Sequence, residues 1–282
     1  MGERIGIEVS IALAEVAGMC DPDVIAAYPI TPQTHIVEHL SELVADGECD
    51  SEFIPVESEH AAMSTCCGSA AAGARTFTAT SSQGLVLMNE IMFIAPALRL
   101  PIVMTVVNRS LSGPISIWND HSDIMAQRDT GWIQTFAENG QEAVDLTLHA
   151  FRVAEDPRVS LPLISNLDGF ILSHVIEPIN IPDREEIKRY LPDFVPSHRL
   201  DVEDPILMGG VGVPEVYTEA RYAIEAALQK SYDVVIEAWD EFEKVFGTRY
   251  KPVETYRADD ADILFITMGG IGETCMTWID SA

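Results

Sequence analysis

The side chain in this sequence best placed to do chemistry is Glu59. It lies in EFIPVESEHAAMSTCCGSAAAGARTFTATSSQG, residues 52 to 84, where Phe53 to Val56 reads as a strand, Ser58 can cap the next helix, and Glu59 falls in that helix's first turn. From Ala61 to Gly73 nearly every side chain is small, so other backbone can approach closely. Glu59 is therefore expected at the mouth of a dry seam, a setting for chemistry more than for solubility. Downstream, Thr76 to Thr80 reads as a strand, Ser81 to Gly84 as a turn, and Leu85 to Ala95 as a buried helix.

Two further residues stand at the ends of predicted strands. Asp23 to Ile30 reads as the first buried strand and runs into Thr31-Pro32, a helix-start signal leading into QTHIVEHLSELVAD. Thr31 there is a helix cap, an anion-binding group, or both at once. Pro101 to Val107 is a continuous apolar run that ends in Asn108 and Arg109. The Arg109 fork suits a carboxylate ligand, with a salt bridge to one of the chain's many acids as the other reading. Asp120, His121 and Asp123 could be taken for a metal trio, but their short spacing in a turn-rich segment favours a self-bonded loop, and no metal ligand is assigned in this chain.

Successive strand-loop-helix units imply a doubly wound parallel sheet of four or more strands, whose ligand crevice lies off the carboxyl ends of the strands. Ile5 to Ala17 reads as an opening helix, Gln141 to Ala154 as another, and Leu161 to Asn166 as a strand. The composition divides the chain into three parts. Residues 1–175 form the α/β domain. Residues 176–256 hold a Pro- and Asp-rich wrapping arm and a long helix, Glu215 to Phe246, whose apolar stripe is a packing face and whose stop is Gly247. Residues 257–282 read as the start of a second α/β domain, with a strand in ADILFIT before the glycines at 269, 270 and 272.

The chain has 282 residues, 47% of them hydrophobic, enough for a sizeable core. Against 17 basic residues stand 45 acidic ones, for a formal charge of −28, which argues against nucleic acid or an anionic membrane as partner. So much Asp and Glu with only four Lys suits high salt or a particular partner subunit. No apolar run reaches the length of a bilayer span and the N-terminal stretch is acidic, so a cytoplasmic protein is expected. Five cysteines without a CxxC pair or cluster-type spacing read as reduced thiols, with Cys66 and Cys67 packed in the core.

Taken together, YPITPQT (Tyr28 to Thr34), VESEHAAM (Val56 to Met63), GARTFTATSSQG (Gly73 to Gly84), RLPIVMTVVNR (Arg99 to Arg109), WNDHSD (Trp118 to Asp123) and DTGWIQ (Asp129 to Gln134) resemble the alpha subunit of pyruvate:ferredoxin oxidoreductase and its 2-oxoacid relatives. The blocks stand in family order and the resemblance runs from about residue 5 to the end. It implies a pyrimidine-type thiamine diphosphate-binding domain, in an enzyme that oxidises pyruvate with coenzyme A and passes electrons to ferredoxin. It implies beta, gamma and delta subunits as partners. The diphosphate and its Mg²⁺ would be held by beta, and the [4Fe-4S] clusters by beta and delta.

Carried over position by position, the resemblance makes Glu59, the second acid of VESEHAAM, the carboxyl that meets the cofactor's aminopyrimidine ring. It makes Thr31 a substrate contact and Arg109 the group that binds the substrate carboxylate. A branched-chain 2-oxoacid in place of pyruvate, and a non-catalytic shortened paralogue that supports assembly, are the alternatives.

Overall fold

The structure, a computed structural model, describes residues 2–281. Its centre is a six-stranded sheet formed by β2 (Val24–Ala27), β3 (Glu52–Pro55), β4 (Thr76–Thr80), β5 (Ile102–Asn108), β6 (Ile133–Phe136) and β7 (Leu163–Asp168). The strand order is β3-β2-β4-β5-β7-β6 and every neighbouring pair is parallel. Such a sheet is covered on both faces, and its central strands β4, β5 and β7 are buried at every position.

Alternation along these strands feeds two cores. Ile25, Phe77, Val103, Val107, Leu163 and Leu167 point to one face, where they meet α1 (Val9–Met19), α2 (Thr34–Ala45) and α8 (Gly140–Ala154). Ala26, Ile102, Met104, Val106 and Ile164 point to the other, against α3 (Glu59–Ala71) and the segment 82–100. The sheet is doubly wound, as the strand-helix alternation predicts.

Order reverses between β2 and β4. The chain leaves β2 for β3 on one side, then returns to lay β4 on the other, which opens a crevice at their carboxyl ends. The segments that follow β2, β3, β4 and β5 carry Thr31, Glu59 at the start of α3, Ser81 to Gly84 at the start of α4, and Arg109 respectively.

Several local expectations give way to tertiary pairing. Glu3–Glu8 is not helical but a strand, β1, paired antiparallel with β8 (Ile176–Ile181), so that Ile5 lies opposite Ile179 and Gly6 opposite Pro178. A partner some 170 residues away supplies those hydrogen bonds, so no local pattern announces them. The helix that follows starts at Val9. β8 also interrupts the predicted arm, as does α9 (Arg184–Tyr190), which opens on a capping box from Asp183 and Glu186.

Leu85 to Ala95 is not one helix but three short ones, α4 (Ser82–Leu87), α5 (Asn89–Met92) and α6 (Ile94–Ala97). The breaks fall at Met88 and Phe93, and at the first the Met88 N–H is shared between Gly84 and Leu85 carbonyls at 3.1 and 3.2 Å. Short α7 (Ser122–Met125) and edge strand β6 lack a clear local signature in the sequence.

The long helix α10 (Pro214–Phe246) ends on Gly247 at φ 80°, the left-handed stop that the glycine predicts. It packs on α8, where the buried His149 ring stacks on Trp239 at 3.7 Å and reaches the Val235 carbonyl at 3.2 Å. Burial pushes the pKa of His149 down to about 3, so the ring is neutral there. Residues 261–268 form no strand, which corrects the expectation for ADILFIT: Ile263, Leu264, Phe265 and Ile266 are exposed, and among the described residues no neighbouring strand offers them hydrogen bonds. The glycines instead lead into α11 (Ile271–Ser281).

Candidate functional site

Glu59 is the first residue of α3. Ser58, extended at φ −164°, caps that helix by accepting the Ala61 N–H, which turns the chain sharply inward after β3. The turn sorts the two acids of VESEHAAM: Glu57 is exposed, whereas Glu59 is only 6% accessible. No hydrogen bond to its carboxylate occurs among the described residues. With no partner among the described residues, the carboxylate is available to a group from outside the chain.

The notch facing Glu59 is cut by Gly84. A methyl group at that glycine would stand 2.5 Å from Glu59 Oε1 and 2.6 Å from Thr80 Oγ1, so only glycine lets the carboxylate lie against the start of α4. The hydroxyls of Thr80 and Ser81 are buried and also unpartnered. The Glu59 carboxylate and the Thr80 hydroxyl thus flank Gly84 without bonding each other, and the Ser81 hydroxyl in the same turn is unsatisfied too. The arrangement can donate to and accept from a polar group brought in from outside.

Arg109 approaches the same turn from β5. Its Nη1 donates to the Thr31 carbonyl at 2.7 Å, its Nη2 to Gln83 Oε1 at 3.4 Å, and its Nε is buried without an acceptor. Among the described residues it makes no ion pair, which removes the salt-bridge reading. The guanidinium rests on neutral oxygens, and burial lowers its pKa from the usual value, with the Asp123 charge acting against that shift. A desolvated cation held only by neutral acceptors is prepared for an anion from outside the chain.

Thr31 is brought to Arg109 through its backbone. It is not a helix cap, which corrects the sequence reading: α2 starts at Thr34, and the preceding Gln33 ends a tight turn whose N–H bonds the Ile30 carbonyl at 2.8 Å. The buried Gln33 side chain also accepts from Ile30 N–H at 3.2 Å and donates to the Ala79 carbonyl at 2.8 Å, tying the loop to β4. The Thr31–Pro32 peptide is cis, and the Thr31 side chain is exposed at the crevice.

Asp123, which the sequence suggests only as part of a metal trio, organises the site. Fully buried, it accepts from the N–H groups of Ser82 (3.0 Å), Arg109 (3.0 Å) and Ile124 (2.7 Å) and from Asn108 Nδ2 (3.1 Å). Burial raises its pKa, and these four donors act in the opposite direction. It holds the end of β5 against the turn after β4 and fixes Ser82 at φ 47°, a left-handed conformation rare for serine. Asp120, His121 and Asp123 do not converge. Asp120 accepts the Ser122 N–H, while His121 Nε2 reaches out of the loop to Asp168 Oδ1 at 2.8 Å, a contact that raises the histidine pKa. The signal for Asp123 in the sequence is faint: an acid beside apolar Ile124 and Met125, inside a loop that otherwise reads as exposed. Cys66 and Cys67 sit in α3 as free thiols whose pKa values burial pushes up.

No helix among the described residues is long and apolar enough to cross a membrane. Residues 15–240 match the family described as "Pyruvate flavodoxin/ferredoxin oxidoreductase, thiamine diP-bdg". The pyruvate synthase subunit PorA of Pyrococcus furiosus is 54% identical over 270 residues, covering 95% of this chain and 68% of that relative. Its counterpart in Methanothermobacter thermautotrophicus is 50% identical over 274 residues, 97% of this chain and 72% of the relative. The ketoisovalerate oxidoreductase subunit VorA of Pyrococcus horikoshii is 46% identical over 259 residues, 91% of this chain and 65% of that one. Among solved structures, the 2-oxoglutarate:ferredoxin oxidoreductase from Magnetococcus marinus shares the fold, with a TM-score of 0.64 at 19% identity over 81% of this chain and 46% of that one. The chain therefore belongs to the thiamine diphosphate-binding family of pyruvate flavodoxin/ferredoxin oxidoreductases.

Proposed function

We propose that this chain is the alpha-type subunit of an enzyme that converts pyruvate, coenzyme A and oxidised ferredoxin to acetyl-CoA, CO₂ and reduced ferredoxin. The observation that carries the reading is the pairing of a buried, unpartnered Glu59 with a buried, unpaired Arg109 on either side of one turn at the switch point. The first suits a neutral ring nitrogen that a carboxyl can bond, the second a substrate carboxylate.

Glu59, Thr80 and Ser81 fit the aminopyrimidine side of thiamine diphosphate, because their polar atoms need a partner with both donor and acceptor character. When bound, the cofactor supplies an acidic ring carbon and an electron sink for the 2-oxoacid. Glu59 would hold the aminopyrimidine at N1′ and share a proton with it there. Arg109 fixes the substrate carboxylate and so orients the carbon to be attacked, while Thr31 lines the approach. A beta subunit is assigned the diphosphate and Mg²⁺, beta and delta the [4Fe-4S] clusters, and gamma completes the complex in the cytoplasm.

Residues 1–175 are proposed as the cofactor-facing domain, 176–256 as an arm and helix embracing it, and 257–282 as the opening of a second α/β domain. Apolar groups exposed beside the crevice, Tyr28 just after β2 and Val86 and Leu87 in α4, support a partner subunit closing over it. The similarity to VorA keeps a branched-chain 2-oxoacid as the second reading.

Assembly with beta, gamma and delta subunits, followed by ferredoxin reduction assayed with pyruvate and with 3-methyl-2-oxobutanoate, tests both. Faster reduction with pyruvate supports the first reading, and preference for the branched acid supports the second. A complete complex inert to both would mean a role confined to assembly.

A further inference from the structure

Glu8, His35 and His174 lie on three separate segments, yet each offers one ligand atom and these atoms are all within 4.8 Å of one another. We infer that this cluster is a binding site for a late first-row divalent transition metal, of which Zn²⁺ is the representative ion, distinct from the crevice that holds Glu59 and Arg109.

The donor set is the first reason. Two imidazoles and one carboxylate suit zinc, cobalt or nickel, whereas Mg²⁺ and Ca²⁺ prefer oxygen alone. Three protein ligands also leave a position for water. Spacing is the second. His35 Nδ1 lies 2.6 Å from Glu8 Oε1, and the His35 and His174 rings are 4.5 Å apart between centroids at 34°. Four-coordinate zinc with bonds of about 2.1 Å needs ligand atoms roughly 3.4 Å apart. The cluster brackets that value, so small side-chain adjustments complete it. The proton now shared between His35 and Glu8 is what the ion displaces.

Preorganisation is the third reason. His174 is not on a free loop: Val9 N–H bonds the Val175 carbonyl at 3.1 Å, Ser10 N–H bonds the Ser173 carbonyl at 3.1 Å, and Ser10 Oγ donates to that same carbonyl at 2.7 Å. These bonds lock the turn that carries His174 onto the first turn of α1, directly after Glu8. Ser173 Oγ, which accepts the Phe170 N–H at 2.9 Å, stands 2.7 Å from His174 Nδ1 and fixes its ring, as the outer contact of a metal-bound histidine does. A bound ion pins the junction of β1 and α1, the start of α2 just beyond the Thr31 turn, and the exit from β7.

The test uses the protein assembled with its partner subunits and dialysed against metal-free buffer, with Zn²⁺ as the probe. Zinc binding is measured by isothermal titration. Histidine reactivity toward diethylpyrocarbonate is mapped by mass spectrometry with and without zinc, His60 serving as the internal reference. The expected result is about one equivalent of zinc per chain, protection of His35 and His174 but not His60, and affinity at least tenfold weaker in Glu8→Gln and His174→Ala. No saturable uptake, or uptake that leaves His35 and His174 as reactive as before, overturns the proposal. Because protection is read on the unsubstituted protein, the test decides the matter even where a variant folds poorly.

Discussion

Arg109 Nη1 donates to the backbone carbonyl of Thr31 at 2.7 Å, which joins the loop after β2 to the end of β5 across the switch point. The contact uses one edge of the guanidinium and leaves buried Nε without an acceptor. Thr31 therefore aims Arg109 through its main chain, whatever its hydroxyl contributes to substrate.

Arg109→Ala should raise the KM for pyruvate by roughly ten- to a hundredfold, the scale of a lost charge-assisted hydrogen bond, with the KM for coenzyme A little changed. Arg109→Lys should recover only part of the loss, because a lysine cannot serve the Thr31 carbonyl and a carboxylate with one planar fork. Steady-state kinetics on the assembled complex check this, and equal rises for both substrates count against the role.

Glu59→Gln keeps size and polarity but removes the ionisable carboxyl. Turnover should fall about a hundredfold or more, the range of a lost proton-transfer group, while thiamine diphosphate affinity falls far less. Turnover rates set beside cofactor titration by tryptophan fluorescence distinguish the two effects.

Gly84→Ala places a methyl group 2.5 Å from Glu59 Oε1 and 2.6 Å from Thr80 Oγ1. The added carbon should displace Glu59, lowering activity at least as much as Glu59→Gln, at a stability cost of about 1–3 kcal/mol. Thermal melts alongside the activity assay separate the two. Unchanged activity would show that the carboxylate is not held by this contact.

Asp145 in α8 is buried and bonded to Tyr250 Oη at 2.7 Å and Gln141 Nε2 at 3.0 Å, yet burial pushes its pKa up to about 6. The folded state thus binds this proton more tightly than the unfolded chain, and stability is lost as pH rises from about 4 through 6. Asp145→Asn should stabilise the protein by on the order of 2 kcal/mol at pH 8 and by almost nothing near pH 4. Denaturant melts of both proteins at the two pH values measure the difference. A benefit independent of pH would trace to packing instead.

The formal charge of −28 predicts a salt response as well. Repulsion among exposed carboxylates should be screened by KCl, so the melting temperature should climb between low and molar salt. A flat profile from calorimetry would assign the acidity to a partner subunit.

Local chemistry explains which features are legible in the sequence. Ser58 capping a helix that begins with Glu59, the apolar runs of β4 and β5, and Gly247 ending α10 each depend on residues within a few positions, so pattern suffices. The features that are not legible depend on distant partners. β1 exists because β8 lies beside it, ADILFIT stays unpaired because no strand does, and Asp123 matters because separate loops deliver N–H groups to it.

The order of residues by itself determined the strand-helix alternation, the doubly wound class and the placing of Thr31, Glu59 and Arg109 after the ends of β2, β3 and β5. Periodicity, capping and motif order are properties of a linear chain. Only the tertiary structure decided that Glu59 and Glu57 part company in burial, that Arg109 finds neutral oxygens in place of an acid, and that Glu8, His35 and His174 meet. Solvent exclusion and the supply of hydrogen-bond partners are set by what lies near in space, and distance along the chain carries no record of either.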